Sequence, residues 1–158
     1  MKLKQLLYED FINYKKPSMF IGTSKCSFKC DKECGMQVCQ NSTLATARTI
    51  ILDNDILIDR YIKNPLTSAV VIGGLEPFDT WEEVYEFIKK IRKQSADDIV
   101  IYTGYTEEEI KPILQTLETE FCNIIVKFGR YIPNQKPHFD EVLEVNLASE
   151  NQYARRIC

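Results

Sequence analysis

Ala69-Val70-Val71-Ile72-Gly73-Gly74-Leu75-Glu76-Pro77 runs through four apolar residues into a paired glycine. An unbroken apolar run of this length reads as a strand buried on both faces, the pattern of a parallel sheet covered by helices. Ile99-Val100-Ile101-Tyr102 repeats it. Met19-Phe20-Ile21-Gly22, Asn123 to Lys127 and Val142 to Val145 supply three more candidate strands.

Helical signals fall between these runs. An amphipathic segment of about Leu3 to Tyr14 opens the chain. Asp53 to Lys63 places Ile56, Leu57, Tyr61 and Ile62 along one side and is stopped by Asn64-Pro65. Thr80-Trp81-Glu82-Glu83 reads as a capping box opening a helix on Trp81, Val84, Phe87, Ile88 and Ile91. Thr106 to Glu109 reads as a second, leading to Ile110, Ile113, Leu114 and Leu117, where Pro112 predicts a kink or a later start. This alternation predicts an α/β fold with a parallel sheet and right-handed crossovers. At 158 residues the chain suits a single domain and is too short for an eight-stranded barrel of roughly 250, so an open sheet or partial (βα) barrel is expected.

In such a sheet the loops after the strands emerge on one side, where open α/β folds bind ligands. Here those loops hold the least generic residues. Cys26-Ser-Phe-Lys-Cys30-Asp-Lys-Glu-Cys34-Gly-Met-Gln-Val-Cys39 follows the first strand. Gly73-Gly74-Leu75-Glu76-Pro77, Thr103-Gly104-Tyr105, Phe128-Gly129-Arg130-Tyr131 and Ala148 to Gln152 follow the others. Paired glycines let the backbone approach a ligand, and Glu76 can accept hydrogen bonds from an ammonium group. Taken singly, each loop is also explained by ordinary turn chemistry. The cysteines are not.

Four thiols within fourteen residues call for disulfides or a shared metal. The amino terminus carries acids where a secretion signal needs an apolar core, and no stretch approaches a membrane span, so a cytoplasmic protein is expected. Reduced thiols in that compartment favour a metal. Gaps of three, three and four residues suit a closed zinc tetrahedron and an iron–sulfur cluster equally. Cys122, before an apolar run, reads as a packed core thiol, and Cys158 as exposed and incidental. His138, the only histidine, reads as a loop residue without a catalytic part. A net charge of −3 without a basic block excludes an electrostatic footprint for nucleic acid.

The chain resembles radical S-adenosylmethionine proteins of the anaerobic ribonucleotide reductase activating type. The likeness rests on the cysteine loop, on Gly73 to Pro77, and on Tyr102-Thr103-Gly104-Tyr105-Thr106-Glu107-Glu108-Glu109. Gly129-Arg130-Tyr131 and Ser149-Glu150-Asn151-Gln152 extend it over roughly residues 18 to 156. It implies one radical S-adenosylmethionine domain over residues 1–158, built as a partial (βα) barrel with a cluster loop at residues 23–41. It further implies a [4Fe-4S] cluster on three cysteines, S-adenosylmethionine on the remaining iron, and a glycyl radical generated on a partner reductase. A flavodoxin or ferredoxin would donate the electron.

The family spacing is Cys-x3-Cys-x2-Cys, followed after one residue by Asn. Cys26 and Cys30 match its first gap, and Cys39-Gln40-Asn41 matches its end after a six-residue insertion, with Cys34 the alternative third ligand. The resemblance places Gly73 and Gly74 against the methionyl part, Glu76 near its amino group, and Thr103 in the same pocket. Arg130 would meet a carboxylate, the partner, or only solvent. Two other readings stay open: a non-catalytic module closing four cysteines around zinc or an iron–sulfur centre, and a radical enzyme acting on another peptide or small molecule.

Overall fold

Four parallel strands form the centre of the sheet in the computed structural model, which describes residues 1–158. They are β2 (Ser18–Thr23), β4 (Ala69–Gly73), β5 (Asp98–Tyr102) and β6 (Ile124–Phe128), paired in that order with Phe20 opposite Val71 and Ile101 opposite Val126. Three further strands complete seven: β1 (Lys2–Asp10) lies antiparallel to β2, β3 (Ile50–Ile51) borders β1, and β9 (Tyr153–Arg156) runs antiparallel to β6. The sheet is therefore mixed rather than wholly parallel, and it stays open, with β3 and β9 as its edges.

Alternate residues of the central strands feed two separate cores, as the period of two requires. Val70 and Ile72, Ile99 and Ile101, and Ile124 and Val126 face α3 (Asn54–Lys63), α4 (Trp81–Ile91) and α5 (Lys111–Glu120) in a core of 21 buried residues. Val71, Val100 and Ile125 face the other way, into a smaller core of nine. That side has no long helix. Tyr14, Leu143 and Leu147 cover it, Leu147 belonging to a two-stranded hairpin of β7 (His138–Asp140) and β8 (Val145–Leu147). The cover is partial, and the remaining space over this face becomes the cavity described below.

Several local expectations change. The opening amphipathic segment is the strand β1, whose Leu3 is fully buried while its pairing with β2 is broken by two irregularities. The run at Val142 to Val145 does not enter the main sheet. Asp140 accepts from Val142 N and Leu143 N and folds this stretch into the hairpin turn, while its other oxygen accepts from Ala154 N on β9. His138 accordingly lies on β7. At Thr80 no capping box forms: its hydroxyl donates to Pro77 O within a 3₁₀ turn, and Glu83 accepts from Lys2 N instead. At Thr106 and Glu109 the box does form, with bonds of 2.9 and 3.4 Å. Helix α5 starts late, so Pro112 falls in its first turn and displaces no helical hydrogen bond.

Cys122 is exposed rather than packed, because it lies beyond the end of α5. Cys158 is half-buried against the helix-side core, since Ile157 N continues the sheet by donating to Ile124 O. No helix is long and apolar enough to cross a membrane.

Candidate metal and cofactor site

The cysteine loop leaves β2 at Thr23 and crosses the rim as two short helices, α1 (Lys29–Cys34) and α2 (Ser42–Thr46). Neither contains a buried residue, so polar contacts hold the loop in place. Glu76 N donates to Lys25 O at 2.9 Å, and Ser27 N donates to Asp79 Oδ2. Asp79 accepts from Tyr105 OH through its other oxygen, so the loops after β2, β4 and β5 meet at one carboxylate. Asp31 Oδ1 accepts from Val38 N and Cys39 N, both at 2.8 Å, and turns the end of the insertion back toward α1.

Cys26, Cys30 and Cys39 consequently line one cavity of about 340 Å³. Cys34 does not. It is exposed and lines a second cavity that shares Cys30 with the first. All six cysteines are free thiols. No three His, Cys, Asp or Glu side chains converge as a group that could hold a metal ion, so the three cysteines share the cavity wall without meeting at one point. Burial pushes the Cys26 thiol up to about 11 and raises Cys30 as well, although backbone N–H groups bonded to each act the other way. Three free thiols around one cavity are a donor set that fits an iron–sulfur cluster, and taking up metal requires them to lose their protons.

The opposite wall comes from β4, β5 and β6. Gly74, Leu75, Glu76, Thr103, Gly104 and Lys127 all contribute. Glu76 is 8 % exposed. It accepts from Phe78 N at 3.1 Å, Thr103 Oγ1 at 2.7 Å and Gly104 N at 2.9 Å. Part of that work is structural, because Glu76 caps the 3₁₀ turn Pro77–Thr80. An ionised carboxylate offers about four acceptor positions, so one remains open. Burial drives the Glu76 carboxyl up to about 7, outweighing its three donors. The Thr103 hydroxyl, donating to Glu76, also accepts from Tyr105 N, so its orientation is set from both sides.

The two glycines separate. Gly74 lines the cavity at φ +77°, and a Cβ there would lie 2.8 Å from Leu44 Cδ2 and 3.1 Å from Gly22 Cα. Close packing of the cysteine loop thus demands glycine before any ligand does. Asn41 Nδ2 donates to Gly74 O at 2.6 Å and fastens the end of the cysteine loop to this turn. Gly73 ends β4, where a Cβ would meet Tyr102 Cβ at 3.1 Å, and it is not part of the cavity wall.

Sequence reasoning passed over Lys127. It is 7 % exposed, lines the cavity, and its ammonium makes one hydrogen bond, 2.9 Å to Gly129 O. Burial lowers its ammonium to about 8 against the attraction of Glu76. Its signal was a charge in the otherwise apolar run Ile124-Ile125-Val126-Lys127-Phe128. Asp79 and Asp31 were missed too, and Asn41, marked only by the resemblance, gained a partner in Gly74. Nothing in the sequence context of Asp79 or Asp31 separates either from ordinary loop residues.

A family model described as "4Fe-4S single cluster domain" matches residues 17–153, which include every residue of both cavity walls except those contributed by β1 and the turn after it. No curated protein and no solved structure matches the chain.

Proposed function

The chain belongs to the 4Fe-4S single cluster domain family, and from that premise we propose that it is a radical S-adenosylmethionine activase. Its substrate is a glycyl-radical enzyme of the anaerobic ribonucleotide reductase kind, and a flavodoxin or ferredoxin serves as electron donor. The observation that carries this reading is the division of the four clustered cysteines: three line one cavity and the fourth stands outside it. Three ligands on a four-iron cluster leave one iron open, whereas a closed electron-transfer or structural centre uses four.

Cys26, Cys30 and Cys39 would hold the cluster. When bound, that cluster supplies the single electron for reductive cleavage of S-adenosylmethionine. The chain's own residues do the rest by position. The open acceptor position of Glu76 suits an ammonium group, and Thr103 and Gly104 keep the carboxylate from rotating. Leu75, 5 % exposed, and the hairpin residues Val145 and Leu147 add apolar surface to the cavity and limit water within it. Leu75, which stands between the paired glycines and Glu76, packs its side chain into the interior.

The test is anaerobic loading with iron and sulfide. Expected are about four irons per chain, a change in the reduced cluster's EPR on adding S-adenosylmethionine, and formation of 5′-deoxyadenosine. Cys26→Ala, Cys30→Ala and Cys39→Ala lose the cluster, while Cys34→Ala retains it. Equal loss from Cys34→Ala and Cys39→Ala, with an EPR signal indifferent to S-adenosylmethionine, would establish a closed four-cysteine centre instead.

A further inference from the structure

Arg130 has no part in the chemistry above, yet it is not a solvated arginine: its side chain is only 10 % exposed. It ties three rim segments together. One terminal nitrogen, Nη2, lies 2.6 Å from Glu109 Oε1, in the capping box before α5. Its Nε lies 3.2 Å from Glu33 Oε1 on α1, as an ion pair without hydrogen-bond alignment. Lys29, the first residue of α1, reaches the same Glu109 oxygen at 3.2 Å. Both cations sit over Tyr105, with Lys29 Nζ 4.3 Å and the Arg130 guanidinium carbon 5.7 Å from the ring centroid.

These charges bracket Cys30. Lys29 precedes it, Glu33 follows it by three residues, and Arg130 and Cys30 share the wall of the second cavity, which measures about 520 Å³. They meet again in a small crevice with Cys26 and Tyr105. Helix α1 buries no side chain of its own, so the apolar core cannot fix where Cys30 points. The ion pairs, together with the Tyr131 N–H bonded to the Cys30 thiol, attach it to the rest of the rim.

We propose that Arg130 is a positioning residue for the cysteine loop, and that the Arg130–Glu109 pair sets the one-electron potential of a cluster held by Cys30. This rests on the reading that Cys26, Cys30 and Cys39 hold that cluster. A thiolate-bound cluster gains negative charge on reduction, so a fixed guanidinium beside one ligand favours the reduced form. Glu109 offsets part of that cationic field. Removing the two partners therefore moves the potential in opposite directions, whereas mere loosening of the loop moves it the same way in both.

The experiment uses anaerobically loaded protein and three variants, Arg130→Gln, Arg130→Lys and Glu109→Gln. Iron and sulfide per chain are measured first, then the midpoint potential by EPR-monitored titration. Arg130→Gln lowers the reduced-to-oxidised ratio at a fixed applied potential about tenfold, equivalent to about 59 mV for one electron. Glu109→Gln raises it, and Arg130→Lys stays near the parent protein. If Arg130→Gln sheds its iron while Arg130→Lys keeps it, the positioning role stands and Glu109→Gln still reads the field. Unchanged potentials, shifts of the same sign in both glutamine variants, or equal iron loss from Arg130→Lys overturn the proposal. Full iron retention by Cys30→Ala would overturn the ligand reading itself, independently of any Arg130 variant.

Discussion

Asp31 Oδ1 accepts a hydrogen bond from Cys39 N at 2.8 Å, joining the residue after Cys30 to the last thiol of the loop. The same oxygen holds Val38 N. This one carboxylate closes the segment between α1 and Cys39, so a loop with six inserted residues still returns its final cysteine to the cavity. The turn is helped by Gly35, which ends α1 at φ +66°.

Asp31→Ala removes both bonds and leaves two loop N–H groups to find water. Bonds to a charged acceptor are each worth about 1.5–3 kcal/mol, but the loop is surface-lying and only partly buried, so global stability falls by less. The expected result is cluster loss on loading with a thermal midpoint close to the parent's. Iron analysis beside a calorimetric scan reads both quantities. Full iron occupancy would show that Cys39 needs no such tether.

Glu76 sets a pH dependence with a definite sign. Burial lifts its carboxyl to about 7, and only the ionised form attracts an ammonium group. Affinity for S-adenosylmethionine therefore rises as pH increases through about 7, and Glu76→Gln flattens the profile while leaving iron content alone. Folding responds in the opposite sense. The folded chain keeps a proton that the unfolded chain releases near pH 4.5, so the Glu76 contribution to stability declines from about pH 4.5 upward through about 7. Calorimetric binding and denaturant titrations over pH 5 to 8.5, roughly, separate the two effects; a flat binding profile in the parent protein removes Glu76 from the ligand.

Gly74→Ala is expected to destabilise the rim. At φ +77° a non-glycine residue is strained by about 1–3 kcal/mol. The added Cβ also meets Gly22 backbone, which cannot move aside as a flexible side chain can. Gly73→Ala meets Tyr102 Cβ at 3.1 Å without positive φ and costs less. Urea midpoints of the two cluster-free variants test the order, and equal midpoints would refute it.

At the end of the sheet opposite the cysteines, Asp98 is 6 % exposed and joins Lys16 Nζ at 2.6 Å, Arg156 Nη2 at 3.0 Å and Tyr14 OH at 3.0 Å. Burial would raise its carboxyl, but these donors outweigh that and hold it below the usual range. The stabilisation is present above the unfolded carboxylate pKa and is lost as pH falls through the folded one. Asp98→Asn costs about 1–3 kcal/mol, toward the lower end because Lys16 and Arg156 are nearly half-exposed and regain water. Acid unfolding followed by circular dichroism tests this, with the variant showing a shallower loss between pH 5 and 2, roughly.

The central strands and long helices were legible because their signals are local. Apolar runs such as Ala69 to Ile72 and the helical spacing of Val84, Phe87, Ile88 and Ile91 are complete within one segment. The gathering of the cysteine, Gly-Gly and Thr103 loops at one rim also followed, since parallel strands end on one side. The loop Ala148 to Gln152 joins that rim for a different reason: it precedes β9, which starts there because it runs antiparallel to β6.

What the amino-acid order determined by itself was the α/β core, the thiol-rich loop and its place after a buried strand. Tertiary structure alone decided that β1 and β9 run antiparallel, that Cys34 stays outside the cavity, and that Lys127 lies within it. Those outcomes depend on pairs far apart in the chain, such as Asp140 with Ala154 or Asn41 with Gly74. Hydrophobic period specifies which face of an element is buried; it carries no record of which distant polar partner a loop will find, and in this rim the polar partners set the geometry.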